Sequence, residues 1–392
     1  MSVRSITADE AIRRLPEFSC VIDARSEGEY AEDRLPGALN WPSLNDEERR
    51  LVGTLYKQVS PFEANKRGAA LLAANVARHI GRDVVDKPRE WQPLLYCWRG
   101  GKRSGSLALV LGQIGFRVWL VEGGYKAFRA AVLAELPRLA ARYRFRVVCG
   151  PTGSGKTRLL QALRAAGAQV LDLEELANHR SSVLGLVPGQ RQPTQKRYDT
   201  LVWDQLRGFD PARPVFVESE SKKVGNVAVP DALMAAMRAS ACLHLSLPED
   251  ERVALLMEDY AFFAQDREFF CQRLDALANL RGGTVVKGWQ DAVRDGRVEA
   301  VVRDLLLTHY DPGYATSVQR SFALYGKARG IAASDRTPAT MARLAREILA
   351  AERGAESSAA GAAQGAGDQA LAPGSPGLAA LVLPSAGAPS VS

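Results

Sequence analysis

Over residues 1 to 135, short apolar runs alternate with longer stretches of mixed polarity. CVIDAR (20–25) is an apolar run that ends in a polar turn and predicts a strand. SEGEYAEDRL follows, opening on Ser26 with Glu29 three residues later, the spacing of a helix-starting capping box. PLLYCW (93–98) predicts a second strand, SGSLALVLGQIG (104–115) a helix closing at Gly115, and FRVWLVEGG (116–124) a third strand. Strands alternating with helices predict a parallel sheet covered on both faces. Between the first two strands, residues 46–83 carry a long helical insertion.

The second half repeats this logic. RVVCG (146–150) predicts a buried strand, TRLLQALRAAG (157–167) a helix, and AQVLDL (168–173), PVFVESES (214–221) and ACLHLSL (241–247) further strands. From about 249 to 350 the pattern is mostly helical. The basic stretch LPRLAARYRFR (136–146) lies between the halves and predicts a linker. Beyond 355 the chain is Ala, Gly, Ser and Pro with almost no charge. Such a composition buries too little apolar surface to offset chain entropy, which predicts a disordered tail. The expected organisation is an α/β domain over 1–136, a basic linker over 137–146, a second α/β domain with a helical C-terminal part over 147–350, and a disordered tail over 355–392.

A length of 392 residues fits two to three domains, and 46% hydrophobic with 24% charged residues marks a globular chain. The net charge is +7, and the only charges beyond Arg353, Glu356 and Asp368, are acidic, so the part before the tail is more basic still. An excess of this size suits a polyanionic partner. The five cysteines (20, 97, 149, 242 and 271) are scattered, with no C-x-x-C pair and no histidine cluster, which predicts neither a disulfide framework nor a metal cluster. The N-terminus carries no apolar signal region, and no apolar run reaches the roughly 20 residues of a membrane span. A cytoplasmic protein without membrane contact is expected.

Two loops carry the candidate chemistry. GPTGSGKT (150–157) fits G-x-x-x-x-G-K-[ST] and sits between a predicted strand and a predicted helix, the context a phosphate loop needs. Gly150, Thr152, Gly153, Ser154 and Gly155 would present backbone amides to phosphates. Lys156 would reach the outer phosphates, and Thr157 would ligate a metal such as magnesium. The acidic motif that usually follows is not clean; VFVESES offers Glu218 and Glu220. The second loop is YCWRGGKRS (96–104). A thiol reacts as its thiolate. Gly100 and Gly101 would let amides turn toward Cys97, while a helix N-terminus near Ser104 and the charges of Arg99, Lys102 and Arg103 would favour an anion there. From the residues alone this C-x5-R frame also fits a phosphatase, and the P-loop also fits an NTP-dependent kinase or switch carrying a binding module.

VIDARSEGEY (21–30), RLPGALNWP (34–42), the Cys97 loop and VWLVEGGYKAFR (118–129) together resemble a rhodanese domain. That resemblance implies a persulfide- or perselenide-type carrier at Cys97. The span from Cys97 to Arg103 is one residue longer than in most sulfurtransferases and matches related phosphatases that hold a phosphate. With GTLYKQVSPFEANKRGA (53–69), ANHRSSVLG (177–185), QPTQKRYD (192–199), VESESKKVG (217–225) and HYDPGYATS (309–317), residues 1–350 resemble the bacterial tRNA 2-selenouridine synthase family. The resemblance implies replacement of the sulfur of wobble 2-thiouridine in tRNA by selenium from selenophosphate. It further implies an S-geranyl intermediate made from geranyl diphosphate, with both small molecules as substrates and no tightly bound cofactor. tRNA is the implied partner and a selenophosphate synthase a candidate one. Arg180, Gln195, Lys196, Arg197, Glu218 and Glu220 are candidate contacts to substrate or tRNA, whereas His309 and Tyr310 are expected to be structural.

Overall fold

The computed structural model describes residues 3–180 and 191–368, with side chains up to 354. Two parallel five-stranded sheets organise it. The first contains β1 (Val3–Ile6), β2 (Cys20–Asp23), β3 (Ala38–Asn40), β4 (Pro93–Tyr96) and β5 (Val118–Val121), in the order β1-β5-β4-β2-β3. The second contains β6 (Phe145–Cys149), β7 (Gln169–Leu171) and β8 (Val215–Glu218), then β11 (Ala241–Ser246) and β12 (Arg329–Ala332), in the order β12-β11-β6-β8-β7. An antiparallel hairpin, β9 (Lys223–Val224) and β10 (Val227–Ala228), follows β8. The helical insertion forms Asp46–Gln58 and Pro61–His79, the second continuing through a wider turn at Ile80–Val84.

Cys97 directly follows β4, and the phosphate loop follows β6. Each is the middle strand of its sheet. Residues just beyond the carboxyl ends of parallel strands line the crevice where such folds bind ligands.

The expected linker does not exist as a separate element. Residues 137–142 finish the helix Gly124–Arg142, and Phe145 already begins β6. Pro137 would normally break a helix. Here Leu136, Leu139, Ala140 and Tyr143 are buried on the face around it, so tertiary packing outweighs the lost hydrogen bond. This helix is shared by both halves, and one apolar cluster runs from Ile6 and Leu94 through Tyr125, Phe128 and Val132 to Phe145, Val217, Tyr198 and Trp203. Phe128 meets Trp203 edge to face at 5.6 Å, and Trp203 Nε1 donates to Glu135 at 2.7 Å.

Asp33 is the polar centre of this junction. Its Oδ2 accepts from Tyr125 Oη (2.8 Å) in the first half and from Thr200 Oγ1 (3.0 Å) in the second, and its carbonyl accepts from the buried Arg25 guanidinium (2.6 Å). Burial holds the Asp33 carboxyl above the usual carboxylate range, against those two hydroxyl donors. Asp33→Ala would leave two buried hydroxyls unpaired and should cost about 1–3 kcal/mol. Because one core serves both halves, urea unfolding should remain a single transition with a lower midpoint. Two resolved transitions, only one of them shifted, would show that the halves unfold independently.

The last helix, Pro338–Asp368, runs past 355 into the segment expected to be disordered. Its alanine-rich composition has high helix propensity even without apolar surface to bury. The rest of the tail lies outside the described residues, as do residues 181–190 of the ANHRSSVLG stretch.

Candidate active site

The Cys97 loop is held from behind. Tyr125 N–H donates to the Cys97 carbonyl (2.8 Å) and Lys126 N–H to that of Trp98 (3.1 Å), which pins the loop against the start of the shared helix. Gly124 has φ +58°, and a Cβ there would meet the Cys97 carbonyl oxygen at 2.2 Å. Gly100, with φ +69°, would press a Cβ on the Val121 carbonyl at 2.8 Å. Gly124 of EGGYK therefore serves the cysteine loop. Cys97 is 3% exposed, and Ser104 Oγ donates to its Sγ at 3.2 Å. Burial opposes the thiolate. Hydrogen bonds from the Ser104 hydroxyl and amide, the Arg103 charge and the Arg99 amide outweigh it, so the thiol titrates below its ordinary value. Arg103 is fixed by Glu29 at 2.6 Å, and Glu29 also accepts from the Ser26 N–H at the expected helix start. Arg99 and Lys102 are exposed beside the loop.

A lowered thiol pKa means that alkylation of Cys97 rises with pH and levels off earlier than for a free thiol. Removing the hydroxyl donor shifts the balance back toward burial. Ser104→Ala should move the midpoint of an iodoacetamide rate–pH profile to higher pH and slow labelling near neutrality about tenfold. An unchanged profile would show that Ser104 does not hold the thiolate.

In the second loop, Gly155 caps the helix Lys156–Ala165 with φ +87°. Lys156 Nζ donates to the carbonyls of Gly150 (2.8 Å) and Pro151 (3.3 Å), and lies 3.3 Å from Glu218 Oε1. Thr157 Oγ1 donates to Glu218 Oε2 at 3.4 Å. Glu174, Glu218 and Glu220 bring one carboxylate oxygen each within 4.8 Å of one another. Three carboxylates beside a P-loop threonine form an oxygen-rich donor set that fits a hard divalent cation. Arg252, buried, donates from Nε (3.0 Å) and an Nη (2.8 Å) to the Thr152 carbonyl, and is clamped by Asp311 at 2.6 Å. The Gly150 amide donates to Tyr314 Oη at 2.6 Å.

A cavity of about 920 Å³ opens from this loop. Gly153, Lys156, Thr157, Glu218 and Glu220 line it, and Arg180 stands on its wall with its guanidinium over the Tyr260 ring at 4.7 Å.

Two family descriptions match the chain: "Rhodanese-like domain" over residues 7–131 and "tRNA 2-selenouridine synthase AAA domain" over residues 143–330. A tRNA 2-selenouridine synthase from Nitrosomonas eutropha is 35% identical over 368 residues, covering 82% of this chain and 94% of its own. This chain belongs to the tRNA 2-selenouridine synthase family. The same-named protein of Sulfurovum sp. is 30% identical across 77% of this chain and 89% of its own. That of Nitrosomonas europaea is 37% identical over 246 residues, 61% of this chain and 63% of its own.

Within this member of the tRNA 2-selenouridine synthase family, the expected site residues fall into three groups. Cys97 to Ser104 form one loop, and Gly150 to Thr157 form the other. Glu218, Glu220 and Arg180 join the second loop around its cavity. Gln195, Lys196 and Arg197 instead tie elements together. Gln195 bonds Asp199 (2.7 Å) and the Ala228 carbonyl (2.8 Å), Lys196 pairs with Glu32 (2.6 Å), and Arg197 donates to the Arg34 carbonyl (3.2 Å). QPTQKRYD thus joins the two halves. HYDPGYATS, expected to be structural at His309 and Tyr310, lines the cavity with His309, Tyr310, Gly313, Tyr314 and Ser317. Glu174 and Arg252 carried no motif signal, and Asp311 lay in HYDPGYATS without being singled out. Their acidic or basic side chains look like any solvated helix face until the fold brings them to the loop. Among the described residues no helix is long and apolar enough to cross a membrane.

Proposed function

We propose that this protein converts wobble 2-thiouridine of tRNA into 2-selenouridine in two steps, each served by one loop. In the first, the thiouridine sulfur attacks C1 of geranyl diphosphate. The C–O bond breaks, pyrophosphate leaves, and the base loses its N3 proton. In the second, the Cys97 sulfur accepts the Se–H proton of selenophosphate, the selenium attacks C2 of the base, and geranylthiolate leaves and takes up that proton as geranylthiol. Water then takes the phosphoryl group from selenium, releasing phosphate. Alkylation matters because a thiolate leaves more readily than sulfide.

The P-loop is assigned to the first step. Its amides and Lys156 suit a diphosphate, and the charge that grows on the departing oxygen is what they would stabilise. A divalent cation on Glu174, Glu218, Glu220 and Thr157 would add charge neutralisation at the same oxygens. The Cys97 loop is assigned to the second step. Its length suits a phosphate-sized anion, and against burial the Ser104 hydrogen bonds and the Arg103 charge lower the pKa of the Cys97 thiol beside it. The observation that carries the reading is the joining of two anion loops by one core within a family of tRNA 2-selenouridine synthases. It favours this reading over a C-x5-R phosphatase or an NTP-driven switch.

tRNA would lie on the basic surface near the junction, where Arg138, Arg142 and Arg144 are exposed. Phosphate contacts release counterions, so affinity should drop at least about tenfold between 50 and 200 mM salt. A binding constant flat over that range would remove tRNA phosphates from this surface. The function itself is tested by mass spectrometry of tRNA nucleosides from cells with and without the gene. Loss of 2-selenouridine in its absence is expected; unchanged 2-selenouridine would refute the assignment.

A further inference from the structure

The phosphate loop borders a second space. A narrow cleft of about 40 Å³ lies beside the large cavity, and Thr152, Leu256, Tyr260 and Tyr310 line both. Its remaining walls are Phe263, Phe270, Val302, Leu305 and Leu306, side chains with no hydrogen-bonding group. They come from the short helices Ala261–Gln265, Arg267–Leu274 and Val298–Asp304 and the wide turn Leu305–Tyr310, which pack around their own apolar cluster. Phe263 and Phe270 stack at 4.5 Å, and Tyr260 stacks on Phe263 at 5.7 Å, so an aromatic wall runs from the cavity rim into the cleft.

A diphosphate on the P-loop places whatever it carries next to Thr152. The carboxylate cluster of Glu174, Glu218 and Glu220 meets the loop at Lys156 and Thr157, and the cleft meets it at Thr152. A nucleobase would need donors and acceptors that the walls formed by Phe263, Phe270, Val302, Leu305 and Leu306 lack, and a buried polar edge without partners is costly. A branched hydrocarbon needs none, and aromatic and leucine side chains are what it packs against. We infer that the cleft receives the isoprenoid chain of the diphosphate substrate, and that its depth sets the chain length accepted. At about 40 Å³ it takes the branched end of a chain, while the remaining carbons lie along Leu256, Tyr260 and Tyr310 in the larger cavity. The inference rests on the reading of the P-loop as a prenyl diphosphate site, and it adds which residues read the chain.

The test titrates the full-length protein, with magnesium, against inorganic pyrophosphate and dimethylallyl, geranyl and farnesyl diphosphates. Two variants are compared with the parent: Leu306→Phe, which fills the cleft, and Phe263→Ala, which deepens it. Buried methylene groups each add affinity, so geranyl diphosphate should bind at least about tenfold tighter than pyrophosphate. Leu306→Phe should erase most of that gain with pyrophosphate binding unchanged, and Phe263→Ala should shift preference from geranyl toward farnesyl. If Leu306→Phe does not fold, the parent series and Phe263→Ala decide. Pyrophosphate binding as tight as geranyl diphosphate binding would overturn the cleft assignment and leave the P-loop reading standing. So would a chain-length preference that neither variant moves. If no diphosphate binds, the P-loop reading and the cleft fall together.

Discussion

Lys156→Ala should reduce S-geranylation of thiouridine tRNA by at least about a hundredfold, at saturating tRNA as well as at low tRNA. Lys156 sits at the mouth of the loop, held by the Gly150 and Pro151 carbonyls and facing Glu218. Its charge would act where pyrophosphate leaves, and a group that stabilises the departing oxygen lowers the rate constant, not the affinity for tRNA. The same variant should still convert tRNA supplied with S-geranyl-2-thiouridine into selenouridine, because that step draws on the other loop. Incubating pre-geranylated tRNA and selenophosphate with the purified variant reads this directly. Selenouridine at close to the parent rate is expected. A folded, tRNA-binding variant that makes none would place the P-loop in both steps.

Cys97→Ala should give the opposite phenotype: without the proton acceptor, geranylated thiouridine accumulates and selenouridine falls by at least about a hundredfold. The substitution removes the sulfur but keeps the loop, whose backbone is pinned by Tyr125, Lys126 and the close-packed Gly124. The P-loop and its carboxylates lie at the end of a different sheet and should be untouched. Nucleoside mass spectrometry of tRNA from cells carrying the variant checks this. Loss of both modified nucleosides, with the protein folded, would end the division of labour.

Both loops were legible in the sequence because their chemistry is local. Cys97 to Ser104 and Gly150 to Thr157 are contiguous, and each follows an apolar run too short for anything but a buried strand. The principal strands were legible for the same reason. β1, β3 and β12 were not: β1 and β12 show mixed burial at the sheet edges, and β3 has only three residues, so none presents an apolar run. The linker was misread because four arginines are interspersed among the apolar residues of LPRLAARYRFR, and only the i, i+3, i+4 spacing of Leu136, Leu139 and Ala140 marks the buried face. The junction contacts of Gln195, Lys196 and Arg197 were not legible for a related reason. A polar run serves a domain junction as well as a ligand, and composition does not separate the two. The cavity wall was the least legible part. Glu174, Arg252 and the Asp311–Tyr314 pair converge from three helices, and only the three-dimensional fold brings them to the loop.

The most direct test of the two-loop division is the order of products. Purified protein is given thiouridine tRNA, first with geranyl diphosphate alone and then with selenophosphate, and the nucleosides are followed by mass spectrometry. S-geranyl-2-thiouridine should rise in the first stage and be consumed as 2-selenouridine appears in the second. Selenouridine formed from thiouridine tRNA and selenophosphate without geranyl diphosphate would contradict it.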